Sequence, residues 1–72
     1  MNTKEKFFRG GFNGKLYKIV SKPENPVNKE HWYVASIRNN KFIGWNRCSK
    51  LPNVMVGITL DEVEEMLFLF TL

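Results

Sequence analysis

The sequence has little of the chemistry on which small proteins often depend for extra stability. Its 72 residues include one cysteine and one histidine, which excludes an intrachain disulfide and leaves too few ligands for a structural zinc site. No apolar run approaches the roughly 20 residues of a membrane span, and no signal-peptide pattern follows Met1. A single free thiol suits a reducing compartment. We therefore expect one cytoplasmic domain over residues 1–72, with no metal, no cofactor and no membrane association.

The sequence also lacks a recognisable catalytic pattern. His31 and Cys48 are single residues with no third group to orient them. The acids between 61 and 65 fall at a predicted helix start, where they complement the helix dipole. The glycines between 10 and 14 do not form a phosphate-binding loop, because no Gly-Lys-Ser/Thr follows them. We therefore predict a binding protein and not an enzyme.

A hairpin signal stands in the first third of the chain. Asn13-Gly14 is typical of a two-residue type I′ turn, in which both central residues have positive φ. Counting outward from this turn places Arg9 opposite Lys18. The predicted core face of the hairpin consists of Phe8, Phe12, Tyr17 and Ile19.

A second hairpin follows. Residues His31–Arg38 have the aromatic and β-branched content of a strand, and Asn39-Asn40 favours another type I′ turn before the chain returns. Continuous pairing from this turn puts Ile37 opposite Phe42. It also divides the large side chains between a core face (Tyr33, Ala35, Ile37, Phe42) and a second face (Trp32, Val34, Ile43, Trp45).

The last third of the chain predicts a short strand at Val54–Val56, stopped by Gly57, and a helix over Thr59–Phe70. Thr59 and Glu62 have the spacing of a capping box. The apolar stripe of this helix is Leu60, Val63, Met66, Leu67 and Phe70. The predicted fold class is therefore α+β: a small antiparallel sheet of four or five short strands with one C-terminal helix packed on it.

The charge distribution suggests a polyanionic partner. All 11 Lys and Arg residues lie between positions 4 and 50, where only three glutamates oppose them. Several of them alternate with aromatic residues on the predicted strands, and base stacking with phosphate neutralisation uses these two residue types together. The simpler interpretation, a solvated basic face with tryptophans in the core, stays open. The predicted nucleic-acid-binding residues are Arg9, Lys18, Trp32, Arg38, Lys41, Trp45 and Arg47.

The C-terminal end of the chain supports a different class of function. Phe68, Leu69 and Leu72 fall outside the apolar stripe, so one helix would leave them uncovered. They predict a homodimer interface or a docking site for a protein partner. The alternative function is therefore a small protein-binding regulator or inhibitor, of the kind that phages encode, acting through Trp and Arg anchors or through this helix.

The order of elements adds a fold-level resemblance. From Trp32 to Phe70 the chain is similar to the AP2-type and integrase N-terminal DNA-binding domains, which read DNA with a three-stranded sheet beside a helix. The resemblance implies a sheet that faces nucleic acid. The recurrent residues of those domains do not occur here, so the resemblance concerns architecture alone.

Overall fold

A computed structural model describes residues 4–21 and 30–70 of the chain. Within these residues five strands precede one helix, which confirms the predicted α+β class. The elements are β1 (Lys4–Gly10), β2 (Leu16–Ser21), β3 (His31–Arg38), β4 (Lys41–Arg47), β5 (Met55–Ile58) and α1 (Leu60–Phe68). Among the described residues, the nine-residue α1 falls short of the length that a membrane-crossing helix needs.

The strands form one antiparallel sheet in the order β4-β3-β2-β1-β5. Strand β5 pairs with β1, so the chain crosses from one edge of the sheet to the other between Arg47 and Met55. The three strands of residues 32–70 therefore do not form a sheet of their own, because β1 and β2 separate β5 from β3. The architectural resemblance to three-stranded DNA-binding domains is wrong for this reason.

The first hairpin has a longer loop than predicted. Arg9 lies opposite Leu16 and Phe7 opposite Lys18, a register two residues away from the expected one, so Arg9 and Lys18 are not a cross-strand pair. The Gly10 amide donates to the Lys15 carbonyl at 2.8 Å and closes a loop over residues 11–14. Only Gly14 in this loop has positive φ, at 67°. A four-residue loop needs one left-handed position, whereas a type I′ turn needs two.

The loop residue Phe12 is 86% exposed, so its predicted place on the core face is wrong. Steric crowding in this loop explains why glycines occupy the two positions before Phe12. A Cβ on Gly10 would lie 2.1 Å from the Asn13 side-chain oxygen, and a Cβ on Gly11 would lie 2.8 Å from Val54. The two glycines therefore let the side chains of Asn13 and Val54 lie close against the backbone where β1 meets its loop.

The second hairpin begins as predicted. Asn39 and Asn40 both have positive φ, at 53° and 62°, and Ile37 lies opposite Phe42. The pairing then shifts by one residue between Ser36 and Ile37, a β-bulge in which the facing strand β4 contains Gly44 at φ 138°. Beyond the bulge the residue opposite Trp45 is Ala35, not the expected Val34.

The helix confirms the capping box. The Glu62 amide donates to Thr59 Oγ1 at 3.2 Å, and the Thr59 amide donates to Glu62 Oε1 at 3.1 Å. Helix α1 lies beside β1, and its Val63 is 2% exposed. Leu60 is 51% exposed, so the predicted stripe begins one turn too early. Strand β5 also differs from the prediction, because it extends through Gly57 to Ile58.

The core of the described residues is small. Its buried apolar side chains are Leu16, Tyr17 and Val63, at 7%, 5% and 2% exposure. Leu16 and Tyr17 are consecutive in β2, so they point to opposite faces of the sheet. Solvent is therefore excluded from both faces at the start of β2, and the aromatic side chains of β1, β3 and β4 are half-buried.

Candidate nucleic-acid interface

Strand register divides the predicted binding residues between the two faces of the sheet. Side chains alternate along each strand, and directly opposed residues share a face. The face that we call the Lys18 face carries Glu5, Phe7, Arg9, Lys18, Tyr33, Phe42, Trp45 and Arg47. The face that we call the Trp32 face carries Lys4, Lys6, Phe8, Tyr17, Ile19, Trp32, Val34, Arg38, Lys41 and Asn46.

The bulge decides on which face Trp45 lies. Continuous pairing would place Trp45 beside Trp32 and Val34, but the extra residue in β4 turns it to the opposite face. The structure therefore places Arg9, Lys18, Trp45 and Arg47 on the Lys18 face, and Trp32, Arg38 and Lys41 on the Trp32 face, where Arg38 and Lys41 lie at the opposite end of β3 from Trp32.

On the Lys18 face the central cation already has protein partners. Lys18 Nζ lies 2.8 Å from Glu5 Oε2, and the Lys18 side chain is 16% exposed. The same ammonium lies 4.8 Å from the centroid of the Trp45 ring and 5.8 Å from that of Tyr33. A carboxylate and two ring faces thus replace solvent around Lys18, and its charge is largely satisfied within the fold.

Aromatic rings surround this ion pair. The Trp45 ring lies 5.9 Å from Phe42 in an edge-to-face arrangement and 6.3 Å from Phe7. Phe7 belongs to β1 and Trp45 to β4, with two strands between them. Contact across that width requires the sheet to curl toward the Lys18 face, since neighbouring strands are about 4.8 Å apart. The face is therefore concave there, and its rings mainly contact one another.

The Trp32 face has an aromatic pair of its own. The rings of Phe8 and Trp32 lie 5.4 Å apart and are tilted by 47°. They line a recess of about 350 Å³, together with Lys4, Lys6, Ile19, Ser21 and Glu30. The recess places an indole ring next to two exposed lysines, with Glu30 as the only acid among the described residues that line it.

A second recess lies toward the β3–β4 turn, lined mainly by residues of the Trp32 face and also by Ala35 and Ile37 of the Lys18 face. It has a volume of about 520 Å³ and includes Lys15, Arg38 and Asn46 in its lining. The Asn46 side-chain amide donates to the Ser36 hydroxyl, which fixes the polar part of this lining. Val34, Ile37 and Ile43 supply the apolar part. The two recesses lie toward opposite ends of β3.

The charged side chains that strands β1 to β4 direct to the Trp32 face are all positive. Lys4 and Lys6 stand at one end of its strands, and Arg38 and Lys41 at the other. All four side chains are exposed, and no aspartate or glutamate of β1 to β4 points to this face. Among the described residues that line the Phe8–Trp32 recess, one is acidic, Glu30, which lies just before β3. Exposed positive charge therefore lies at both ends of this face.

Cys48 does not have the environment of a nucleophile. Its amide donates to the Trp32 carbonyl at 3.0 Å, which extends the pairing at the end of β4. Burial raises the pKa of the Cys48 thiol, whereas a reactive thiol needs a lowered pKa. Across residues 4–21 and 30–70, no three His, Cys, Asp or Glu side chains are grouped as metal ligands.

The end of α1 is open to solvent. Leu69 is 67% exposed and Phe68 is 60% exposed. Leu69 also lines a shallow recess of about 290 Å³ with Glu62, Glu65 and Met66. The third predicted interface residue, Leu72, lies outside the described residues.

Sequence reasoning missed several residues of these sites. Lys4 and Lys6 alternate with Phe8 in β1, and that period of two was the signal that could have assigned them to the Trp32 face. Glu5 shares the Lys18 face by the same alternation. The Gly44 bulge had one signal, a glycine inside a strand pattern.

Comparison with protein-family models, with curated proteins and with solved structures finds no match to this chain. The functional argument therefore rests on the residues of the two sheet faces and of the helix.

Proposed function

We propose that this chain is a small non-catalytic binding protein that engages nucleic acid, or a nucleoprotein, through the Trp32 face. The observation that carries the proposal is the Phe8–Trp32 pair, flanked at both ends of the sheet by exposed cations. Cations that neutralise phosphates supply affinity, and aromatic rings supply stacking surface for bases.

The Lys18 face supports such binding less well. Its central ammonium is paired with Glu5 and lies over the Trp45 ring, so engaging a phosphate would mean breaking existing contacts. Two predicted cations remain exposed on this face, Arg9 and Arg47. Among the described residues, the one ion pair joins Lys18 to Glu5. The four exposed cations of the Trp32 face would therefore break no ion pair on binding a phosphate.

The test is a fluorescence-anisotropy titration of labelled oligonucleotides against the intact chain at low salt. If four phosphates of a single strand are neutralised, log affinity should fall against log salt with a slope of about −3. Removing one contacting cation should flatten that slope by about 0.7. The informative variants are Lys6→Ala and Arg38→Ala, one from each end of the Trp32 face.

Matched controls come from the opposite face. Arg9→Ala and Arg47→Ala remove the same charge from exposed positions on the Lys18 face, so they should leave the salt slope unchanged. If these two variants flatten the slope while Lys6→Ala does not, the Lys18 face is the binding surface. No detectable binding of single- or double-stranded DNA or RNA at low salt would refute nucleic-acid binding altogether.

The alternative function, docking of a protein partner through α1, is favoured by one observation. Leu69 exposes two thirds of its surface beside a recess rimmed by Glu62 and Glu65. The simplest such partner is a second copy of this chain. Leu69→Glu should then abolish a dimer seen by sedimentation equilibrium, while Phe12→Glu, at another exposed apolar position, should not. A monomer at high concentration would refute self-association.

A further inference from the structure

We propose that the Trp32 face takes single-stranded rather than duplex nucleic acid, with an unpaired base stacked on Trp32 in the recess between Phe8 and Lys6. This inference rests on the proposed function and specifies the ligand of the same face. The shared chemistry is an unpaired base on a phosphate backbone, which single-stranded DNA and RNA both provide.

The first argument is the position of the indole. Trp32 is half-buried: Phe8 contacts it on one side, at 5.4 Å and a tilt of 47°, and another part of it lines an open recess. A ring held in this way is rigid, so little side-chain entropy is lost when a base stacks on it. Bases within a duplex have both faces covered by their neighbours, so only an unstacked base can reach such a ring.

The second argument is the distribution of charge. Lys4 and Lys6 lie beside the Trp32 recess, and Arg38 and Lys41 lie at the far end of β3, about 20 Å away at the rise of an extended strand. A flexible single strand can follow this line and place phosphates at both ends while a base enters the recess. The length fits the few nucleotides that small sheet domains contact.

The third argument is what the fold offers to a duplex. A helix is one of two elements that enter a major groove, a two-stranded β-ribbon being the other. Helix α1 is unsuited to that role, because it carries Asp61, Glu62, Glu64 and Glu65 and no basic residue. Its charge would repel the phosphates on either side of the groove.

The experiment uses Trp45→Phe, which leaves Trp32 as the only tryptophan of the chain. Its emission is titrated with a mixed-sequence 15-nucleotide DNA strand, the RNA strand of the same sequence, and the corresponding DNA duplex. Stacking should quench Trp32 with either single strand and not with the duplex. In the otherwise native chain, Trp32→Ala should weaken single-strand binding by between about fivefold and about a hundredfold, with duplex binding changed less than twofold.

Two outcomes overturn the inference while leaving the proposed function intact. One is duplex binding as tight as single-strand binding, which would point to the cationic β3–β4 turn as the contact. The other is single-strand binding without quenching of Trp32. Failure of every oligonucleotide to bind would instead remove the proposed function. Since Trp32→Ala can affect folding, the quenching measurement, which leaves Trp32 in place, decides between these cases.

Discussion

Lys18 is the residue for which sequence and structure make opposite predictions. The sequence suggests a phosphate-binding lysine, whereas the structure shows a cation held by Glu5 at 2.8 Å and by the rings of Trp45 and Tyr33. We therefore expect Lys18→Ala to reduce stability and to leave nucleic-acid affinity unchanged. Lys6→Ala, at an exposed position of the Trp32 face, should weaken nucleic-acid affinity and leave stability unchanged.

The size of the Lys18 effect follows from its contacts. A cation–π contact contributes about 0.5–1 kcal/mol at an exposed site and about 2 kcal/mol when desolvated. With a side chain 16% exposed, Lys18 lies between these limits. The ion pair adds at most about 1 kcal/mol, since Glu5 is 40% exposed and screened by solvent. The expected loss is about 2 kcal/mol, or roughly 8–16 °C in Tm for a domain of this size.

Urea unfolding followed by circular dichroism measures this loss, and two variants separate its parts. Lys18→Met keeps the aliphatic stem and removes the charge, so it should recover the packing part of the effect. Glu5→Gln removes the ion pair and leaves the ring contacts. If Lys18→Ala stays within about 0.5 kcal/mol of the native chain, the value for an ordinary surface substitution, the structural role of Lys18 is refuted.

Three further predictions concern other parts of the chain. Thr59→Ala should cost about 1 kcal/mol in urea unfolding because it removes the helix cap, while Thr59→Ser keeps the hydroxyl and should cost much less; equal losses would contradict the capping role. Burial raises the pKa of Cys48, so less thiolate is present near pH 8 in the folded chain than in the unfolded chain. Iodoacetamide should therefore alkylate Cys48 more slowly in the folded chain than in the urea-unfolded chain. Faster alkylation of the folded chain would mean that the pKa of Cys48 is lowered. Glu30→Gln removes the acid from the Trp32 recess, so oligonucleotide affinity at low salt should rise about twofold to fivefold, and no rise would place the phosphates elsewhere.

The elements that the sequence predicted well are those specified by local chemistry. Asn39 and Asn40 tolerate positive φ, and they turn the chain where expected. Thr59 and Glu62 satisfy each other's backbone amides, so the start of α1 needs no tertiary information. In both cases two residues at most three positions apart contain the whole physical cause.

The first hairpin depended on contacts that a local pattern does not contain. Asn13-Gly14 favours a two-residue turn, but the Gly11 amide donates to the Val54 carbonyl and the Asn13 side chain donates to the Tyr17 hydroxyl. These contacts hold the loop at four residues. Val54 is far along the chain, so its effect on the turn could not be read from residues 10–15.

The consequences of the two register errors differ because a strand has a period of two. The loop of the first hairpin moved its pairing by two residues, so Phe8, Tyr17 and Ile19 kept the face that the sequence assigned to them. The bulge in the second hairpin moved its pairing by one, which turned Trp45 away from Trp32. One extra residue in the bulge beside Gly44 therefore changed the predicted interface more than a two-residue error at the first turn. The bulge places the two tryptophans on opposite faces of the sheet. Trp45 therefore lies against Lys18, which pairs with Glu5, whereas Trp32 lies beside the exposed lysines of β1.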